Sequence, residues 1–401
     1  MSKVYIVSAK RTAVGSFLGS LSSLSPDKLA GLVIKNIIDE TGINPENINE
    51  VILGNILCAG HGQGLGRQAS IFGGIPKEVP AYSLNMLCGS GMKAVMNAYN
   101  SIKADESDMI IAGGMESMSQ AGFILPANIR SGNKMMDLTA KDHMITDGLT
   151  DAFSGLHMGI TAENIAEKYG LTRCEQDAFA FDSQKKAIYA VDNNKFKDEI
   201  VPIEIKTRRS SSVFDKDEYP NRTTDLEKLA KLKTVFKKDG TVTAGNASGM
   251  NDGASVMLIA SENAVREYNL KPMAEIVSVG QGGIDPSIMG MGPVPAVNSA
   301  LKKAGMSLSD IELIELNEAF AAQSLGVRAE LMKQHKLPEK WFIERTNVNG
   351  GAIALGHPIG ASGNRITTTL LHEMRKRDVK YGLASLCIGG GMGTALIVKN
   401  I

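Results

Sequence analysis

At 401 residues with 43% apolar side chains, the chain is long enough for about two to three ordinary domains around a buried core. Lysine plus arginine and aspartate plus glutamate number 43 each, so no global field is available to hold nucleic acid or an anionic membrane, and any anion site must be local. Four cysteines, at 58, 88, 174 and 387, lack the C-x-x-C pairs and histidine clusters of a zinc site and fit a reducing compartment.

The chain enters a strand-like run at once, Val4 to Ser8, so no signal or transit peptide is expected. Ser25-Pro26 then supplies an N-cap and a proline at the first helical position for a helix through about Asp39. Val51-Ile52-Leu53 is the next strand. After Cys88 the apolar residues Met92, Val95, Met96 and Tyr99 fall at helical spacing, and Met109 to Ala112 reads as a buried strand before Gly113-Gly114. Cys88 therefore stands at a strand-to-helix turn.

From 121 to 250 the texture turns polar, with few strands. Thr172-Arg173-Cys174-Glu175 is a capping box opening a helix to about Val191, and the basic run Lys206 to Ser210 fits a solvated loop or a phosphate contact. The last third returns to strands at Ala274 to Val279, Leu313 to Leu316 and Leu383 to Leu386. No apolar stretch reaches the roughly 18 residues that span a bilayer, and Val398-Lys399-Asn400-Ile401 is no peroxisomal address. A cytoplasmic location is expected, with no membrane or nucleic-acid partner.

Strands alternating with helices predict an α/β protein, and its two ends echo each other. A helix, an acidic turn and a strand ending in asparagine occur at Val51 to Asn55 and again at Leu313 to Asn317. Ser90-Gly91 matches Ser362-Gly363, and Gly113-Gly114-Met115 matches Gly390-Gly391-Met392. The reading is an internal duplication: an N-terminal half over 1–120, an inserted polar domain over 121–250 that faces the substrate, and a C-terminal half over 251–401.

Three glycine-dense windows carry the chemistry. Cys88 lies in Asn85-Met86-Leu87-Cys88-Gly89-Ser90-Gly91, His357 in Asn349 to Gly363, and Cys387 before Gly389-Gly390-Gly391. A helix starting after Cys88 would favour a thiolate through its unpaired N–H groups and dipole, and His357 offers the base that a thiol nucleophile needs. Three successive glycines after Cys387 suggest close approach of the backbone to a ligand. Each window also has an ordinary structural alternative: a buried core cysteine, a loop histidine, or, for Asn317 in Asn317-Glu318-Ala319-Phe320, a plain N-cap. No Walker loop is present, and Gly60 to Gly66 only imitates a dinucleotide fingerprint.

Taken in order, these windows together with Ser8-Ala9-Lys10-Arg11-Thr12, Gly113 to Met118 and the loop Thr243 to Gly253 resemble the thiolase family over essentially the whole chain, and within it the branch that joins two acetyl-CoA molecules. The resemblance implies the duplicated thiolase fold, a layered αβαβα core with an inserted loop domain. It implies acyl transfer to Cys88, with His357 taking its proton and Cys387 as the acid/base thiol. His357 with a water on Asn317 would form one oxyanion hole, and the N–H groups of Cys88 and Gly389 the other.

By the same likeness His157, Met158, Ala244 and Ser248 would contact pantetheine, Leu232 and Phe236 the region nearer adenine, and Met289, Ala319 and Phe320 the acyl group. Where relatives place an arginine at the adenine, this chain has Asn221 and then Arg222. No cofactor is implied, since coenzyme A is part of substrate and product; the partners are acetyl-CoA, acetoacetyl-CoA and CoA. A homotetramer built as a dimer of dimers is implied, with Ala121 to Lys134 as its contact.

Met158 and Met289 favour a short acyl group over a degradative 3-ketoacyl-CoA thiolase acting on longer chains. The intact Cys88, His357 and Cys387 disfavour a non-catalytic acyl-CoA binding protein. Two thiols facing one acyl group are also expected to oxidise to a Cys88–Cys387 disulfide under mild peroxide.

Overall fold

A computed structural model describes residues 3–135, 137–206 and 210–401. Thr207, Arg208 and Arg209 of the basic run lie outside the described residues. The N-terminal half threads β1 (Val4–Thr12), α1 (Pro26–Thr41), β2 (Glu50–Gly54), α2 (Leu65–Phe72), β3 (Ala81–Leu84), α3 (Ser90–Lys103) and β4 (Met109–Ser117). The polar segment follows with α4 (Met158–Tyr169) and α5 (Arg173–Asp192), and β5 (Asn251–Ser261) returns to the sheet. The C-terminal half repeats the plan as β6 (Ala274–Gly283), α6 (Pro293–Ala304), β7 (Leu313–Leu316), α7 (Ala321–His335), α8 (Glu339–Arg345), α9 (Ser362–Arg377), β8 (Tyr381–Ile388) and β9 (Met392–Asn400).

These strands hydrogen-bond in the order β7-β8-β9-β6-β1-β5-β4-β2-β3. Within the sheet the halves are joined by the pairing of β1 with β6, at Tyr5–Glu275 and Ile6–Ala274. On each side the pattern is the same: β1–β5 and β5–β4 are antiparallel and β4–β2 parallel, as β6–β9 and β9–β8 are antiparallel and β8–β7 parallel. The parallel partner of β2 is β3, and its counterpart beside β7 is reduced to one bridge, Ile314–Thr346. The duplication is thus present in topology.

The hydrophobic pattern explains the layers. Met92, Val95 and Met96 of α3 and Ile366, Leu370 and Leu371 of α9 pack in one cluster with Ile6, Ile110, Ala384 and Leu396, so both helices lie between the two sheet halves. Leu29, Val33 and Ile37 of α1 cover the outer N-terminal face, and Val297, Ala300 and Leu301 of α6 the outer C-terminal face. Burying each such Leu, Ile or Val contributes roughly 1.5–3 kcal/mol. The result is the layered αβαβα arrangement.

Glycine sets the closest approach of the two central helices. A Cβ on Gly363 would lie 2.7 Å from Met92 N, and one on Gly91 2.9 Å from Gly360 O. Ser90 and Ser362 open these helices as equivalent residues. The Gly-Gly-Met likeness is not an equivalence, however. Gly113 and Gly114 sit inside β4, where a Cβ on Gly114 would come within 2.0 Å of Gly360 O, whereas Gly390 and Gly391 form the turn between β8 and β9.

Local signals hold with two differences. The capping box at Thr172 and Glu175 is formed and opens α5. Pro26 begins α1, yet Ser25 makes no capping hydrogen bond. Asn317 is no N-cap, because α7 begins at Ala321 after Phe320. Among the described residues no helix is long and apolar enough to cross a membrane.

Candidate active site

Cys88 is set by a tight turn between β3 and α3. The Leu87 N–H donates to Asn85 Oδ1 at 2.9 Å, and Ser90 Oγ donates to Leu87 O at 2.6 Å while accepting from the Met86 N–H at 2.8 Å. These bonds hold Leu87 in the left-handed region, φ 48°, a strain of about 1–2 kcal/mol for a non-glycine residue. Gly89 follows as the N-cap of α3, and a Cβ there would meet Ile388 Cδ1 at 2.2 Å. Glycine therefore lets the turns carrying Cys88 and Cys387 touch.

The N–H groups of Gly389 and of Cys88 itself are directed at the Cys88 sulfur. They favour negative charge there, but burial dominates and pushes the thiol up to about 11. The helix N-terminus does not make Cys88 a resting thiolate. Taking sulfur charge out of water costs more than a few backbone dipoles return.

His357 is fixed on three sides. Its N–H donates to Asn251 Oδ1 at 2.9 Å, Gly356 precedes it with φ 102°, and its Nδ1 lies 2.6 Å from Ser362 Oγ. Ser362 spends its hydroxyl proton on Pro358 O at 2.9 Å, so Nδ1 carries the ring hydrogen and Nε2 is the free acceptor. This tautomer follows from the hydrogen-bond network. Burial, together with the positive charge of Arg365, pushes the imidazole down to about 3. It is neutral at physiological pH.

Asn317 Nδ2 stands 3.5 Å from His357 Nδ1, and since both atoms carry hydrogen in this tautomer the contact is proximity rather than a hydrogen bond. The Asn317 N–H donates to Ser385 O at 3.0 Å, anchoring it beside β8. Its Oδ1 is buried without a partner among the described residues.

Cys387 is 1% exposed in a cluster with Met158, Met289, Ala319 and Phe320. Burial first, then the neighbouring Cys88, pushes its thiol strongly up. Two of the three glycines after it have a structural reason: Gly390 and Gly391 take φ 78° and 82° in the turn. All four cysteines are free thiols.

The polar segment supplies one wall. His157 caps α4 by accepting the Gly159 N–H at 3.0 Å and stacks on Phe236 with ring centroids 4.5 Å apart; Phe236 meets Phe320 edge-on at 6.3 Å. The Ser248 N–H donates to Ala319 O at 2.9 Å, joining the loop after Thr243 to Asn317–Phe320. Leu232 and Ala244 lie further out and exposed, outside the cluster around Cys387. Arg222 is turned to Asp192, 2.6 Å away.

Cys88 and Cys387 thus lie side by side with two backbone N–H donors, and the neutral His357 imidazole is held against Asn317, whose N–H is anchored on β8 two residues before Cys387. Residues 4–263 match the profile described as "Thiolase, N-terminal domain", and residues 270–400 match "Thiolase, C-terminal domain". The chain belongs to the thiolase family. It is 52% identical to an acetyl-CoA acetyltransferase of Allochromatium vinosum over 99% of both chains, and 53% identical to one of Pseudomonas aeruginosa over 100% of both. It superposes on the crystal structure of the Bacillus anthracis acetyl-CoA acetyltransferase with TM-score 0.95 and 42% identity, covering 100% of this chain and 99% of that one. For human mitochondrial 3-ketoacyl-CoA thiolase in complex with CoA the values are 0.93 and 44%, covering 100% and 98%.

Sequence reasoning missed the groups that hold this thiolase site in shape. Glu116 accepts from Asn55 Nδ2 at 2.8 Å, Leu57 N at 3.1 Å and Gly360 N at 2.9 Å, tying the His357 loop to the opposite half. Burial outweighs these donors and lifts it to about 7. Glu318 accepts from Ser183 Oγ at 2.6 Å and Asn347 Nδ2 at 2.8 Å, fixing the segment that carries Asn317. A buried acid directly after Gly-Gly-Met, and another directly after Asn317, were the available signals. Neither names a partner.

Proposed function

We propose that this thiolase is an acetyl-CoA C-acetyltransferase, an acyltransferase that condenses two acetyl-CoA molecules to acetoacetyl-CoA and CoA through an acetyl group on Cys88. The observation that carries the reading is the convergence of Cys88, with two N–H groups aimed at its sulfur, and buried Cys387 beside it. Full-length relatives at about half identity with that name support it.

The buried groups suggest a charge-balanced course. His357 Nε2 takes the Cys88 proton as sulfur attacks the thioester carbonyl; a C–S bond forms to Cys88, and the bond to CoA breaks. The Cys387 thiol protonates the departing CoA sulfur, leaving a strongly basic thiolate opposite the imidazolium. That thiolate removes a proton from the methyl group of a second acetyl-CoA. The carbanion forms the new C–C bond at the Cys88 acyl carbon, and the Cys88 sulfur leaves and recovers the proton from His357. Neutral resting groups suit this course, because charge appears only in pairs within the site.

Oxygen charge in the first step would fall to the Cys88 and Gly389 N–H groups, and enolate charge to His357 and a water on Asn317 Oδ1. Met158, Met289, Ala319 and Phe320 would limit the acyl group to a short one, with His157, Phe236, Ala244, Ser248 and Leu232 along the CoA path. The exposed Phe123 and Leu125 in the segment 121–134 support a homotetramer. Four widely spaced free cysteines support a reducing, cytoplasmic site of action. The test is thiolysis of acetoacetyl-CoA against 3-ketoacyl-CoAs of increasing length. Acetoacetyl-CoA is expected to be the best substrate, and a preference rising with chain length would assign the degradative reaction instead.

A further inference from the structure

A cavity of about 920 Å³ lies between α5, α7 and α8, with neither Cys88 nor Cys387 in its lining. Phe179, Leu325, Met332 and Phe342 give it apolar walls. Leu316, Glu318 and Asn347 form its floor, directly behind Asn317, and Thr346 Oγ1 there is buried without a partner among the described residues. The outer rim carries four cations against the three acids Glu175, Asp182 and Glu339. Arg328 is paired with Glu339 at 2.8 Å and Lys186 with Asp182 at 2.8 Å, but Lys333 and Lys336 form no ion pair among the described residues.

We propose that this cavity is a second ligand site, which binds a medium-chain carboxylate with its alkyl tail between α5 and α7 and its carboxylate on Lys333 and Lys336. The volume falls within the range of small-molecule pockets, which pair apolar walls with a few placed polar groups. Two exposed, unpaired ammonium groups at one end select an anionic head. The floor offers the Glu318 carboxylate and no cation, so a second negative charge would find no partner there and one anionic head with one tail fits better than a dianion. The proposal is independent of the reaction at Cys88.

Trp341, the only tryptophan in the chain, reports on this cavity, because its ring lies 4.9 Å from that of Phe342 on the wall. Dodecanoate titrated at sub-micellar concentration is expected to change Trp341 emission saturably and to do so equally in the presence of saturating CoA. The pair K333E/K336E should weaken the dissociation constant by about tenfold or more, as loss of two charge-assisted contacts implies. Ala329→Phe, on the exposed lining of α7, should abolish the response while circular dichroism stays that of the parent protein. The site is overturned if no saturable change occurs, if dodecanol binds as tightly as dodecanoate, if Ala329→Phe responds like the parent, or if CoA displaces the signal.

Discussion

Ser362 Oγ lies 2.6 Å from His357 Nδ1 and donates its own proton to Pro358 O, which leaves the imidazole one orientation and one tautomer. Ser362→Ala leaves a buried ring N–H without an acceptor, a loss of about 1–3 kcal/mol. Because Ser362 does not touch the acyl pocket, kcat for acetoacetyl-CoA thiolysis should fall about 10- to 100-fold with KM nearly unchanged. Ser362→Thr, which keeps the hydroxyl, should recover part of the rate. Equal losses in both variants would make Ser362 a packing residue only.

The resting state of Cys88 can be titrated. Its thiol is pushed up to about 11 and His357 down to about 3, so no thiolate–imidazolium pair exists near neutrality. Alkylation of Cys88 by iodoacetamide should therefore climb about tenfold per pH unit between roughly pH 7 and pH 10 without a plateau. A plateau beginning near neutral pH would contradict the neutral pair.

Acid stability carries a second signature. His357 ionises near 3 in the native state against an ordinary 6.5, so between these values the unfolded chain binds more protons and stability falls as pH falls. Glu116 and Glu315, raised from 4.5 to about 7 and about 8 by burial, act oppositely: their contribution is full below 4.5 and is lost as pH rises through those values. Above 4.5 the two carboxylates outweigh the one imidazole, and below it the slope from His357 remains. His357→Asn should flatten the decline between roughly pH 4.5 and 3, a slope of up to about 1.4 kcal/mol per pH unit in urea titrations. Parallel curves for the two proteins would remove His357 from the acid transition.

Gly363→Ala tests the seam between the halves. The added Cβ would stand 2.7 Å from Met92 N and 2.8 Å from Met92 Cβ, both belonging to the helix that starts beside Cys88. Overpacking of this kind costs about 1–3 kcal/mol, and separation of α3 from α9 moves Cys88 away from His357. A lower urea midpoint together with a lower kcat is expected. A lower midpoint with full kcat would show that the seam does not position the site.

Much of the site was legible along the chain. Cys88, His357, Asn317 and Cys387 each stand in a short window whose small residues leave room for a substrate, and such windows are local. The order of strands and helices was legible for the same reason: apolar spacing, Pro26 and the capping box at Thr172 act over a few residues.

Only the tertiary structure decided how charge behaves there. The dipole of α3 favoured a Cys88 thiolate, but desolvation in the packed fold reverses the outcome for half-buried Cys88 and for buried Cys387 and His357 alike. Glu116 holds Gly360 across 244 residues of chain, a contact that no window can contain. The Gly-Gly-Met echo looked like duplication and was not, because equivalence lies in strand pairing rather than spelling. Sequence by itself determined which groups are present and which turns display them. Their distances, tautomer and protonation came from packing two halves against each other, since burial belongs to the whole fold and not to any one segment.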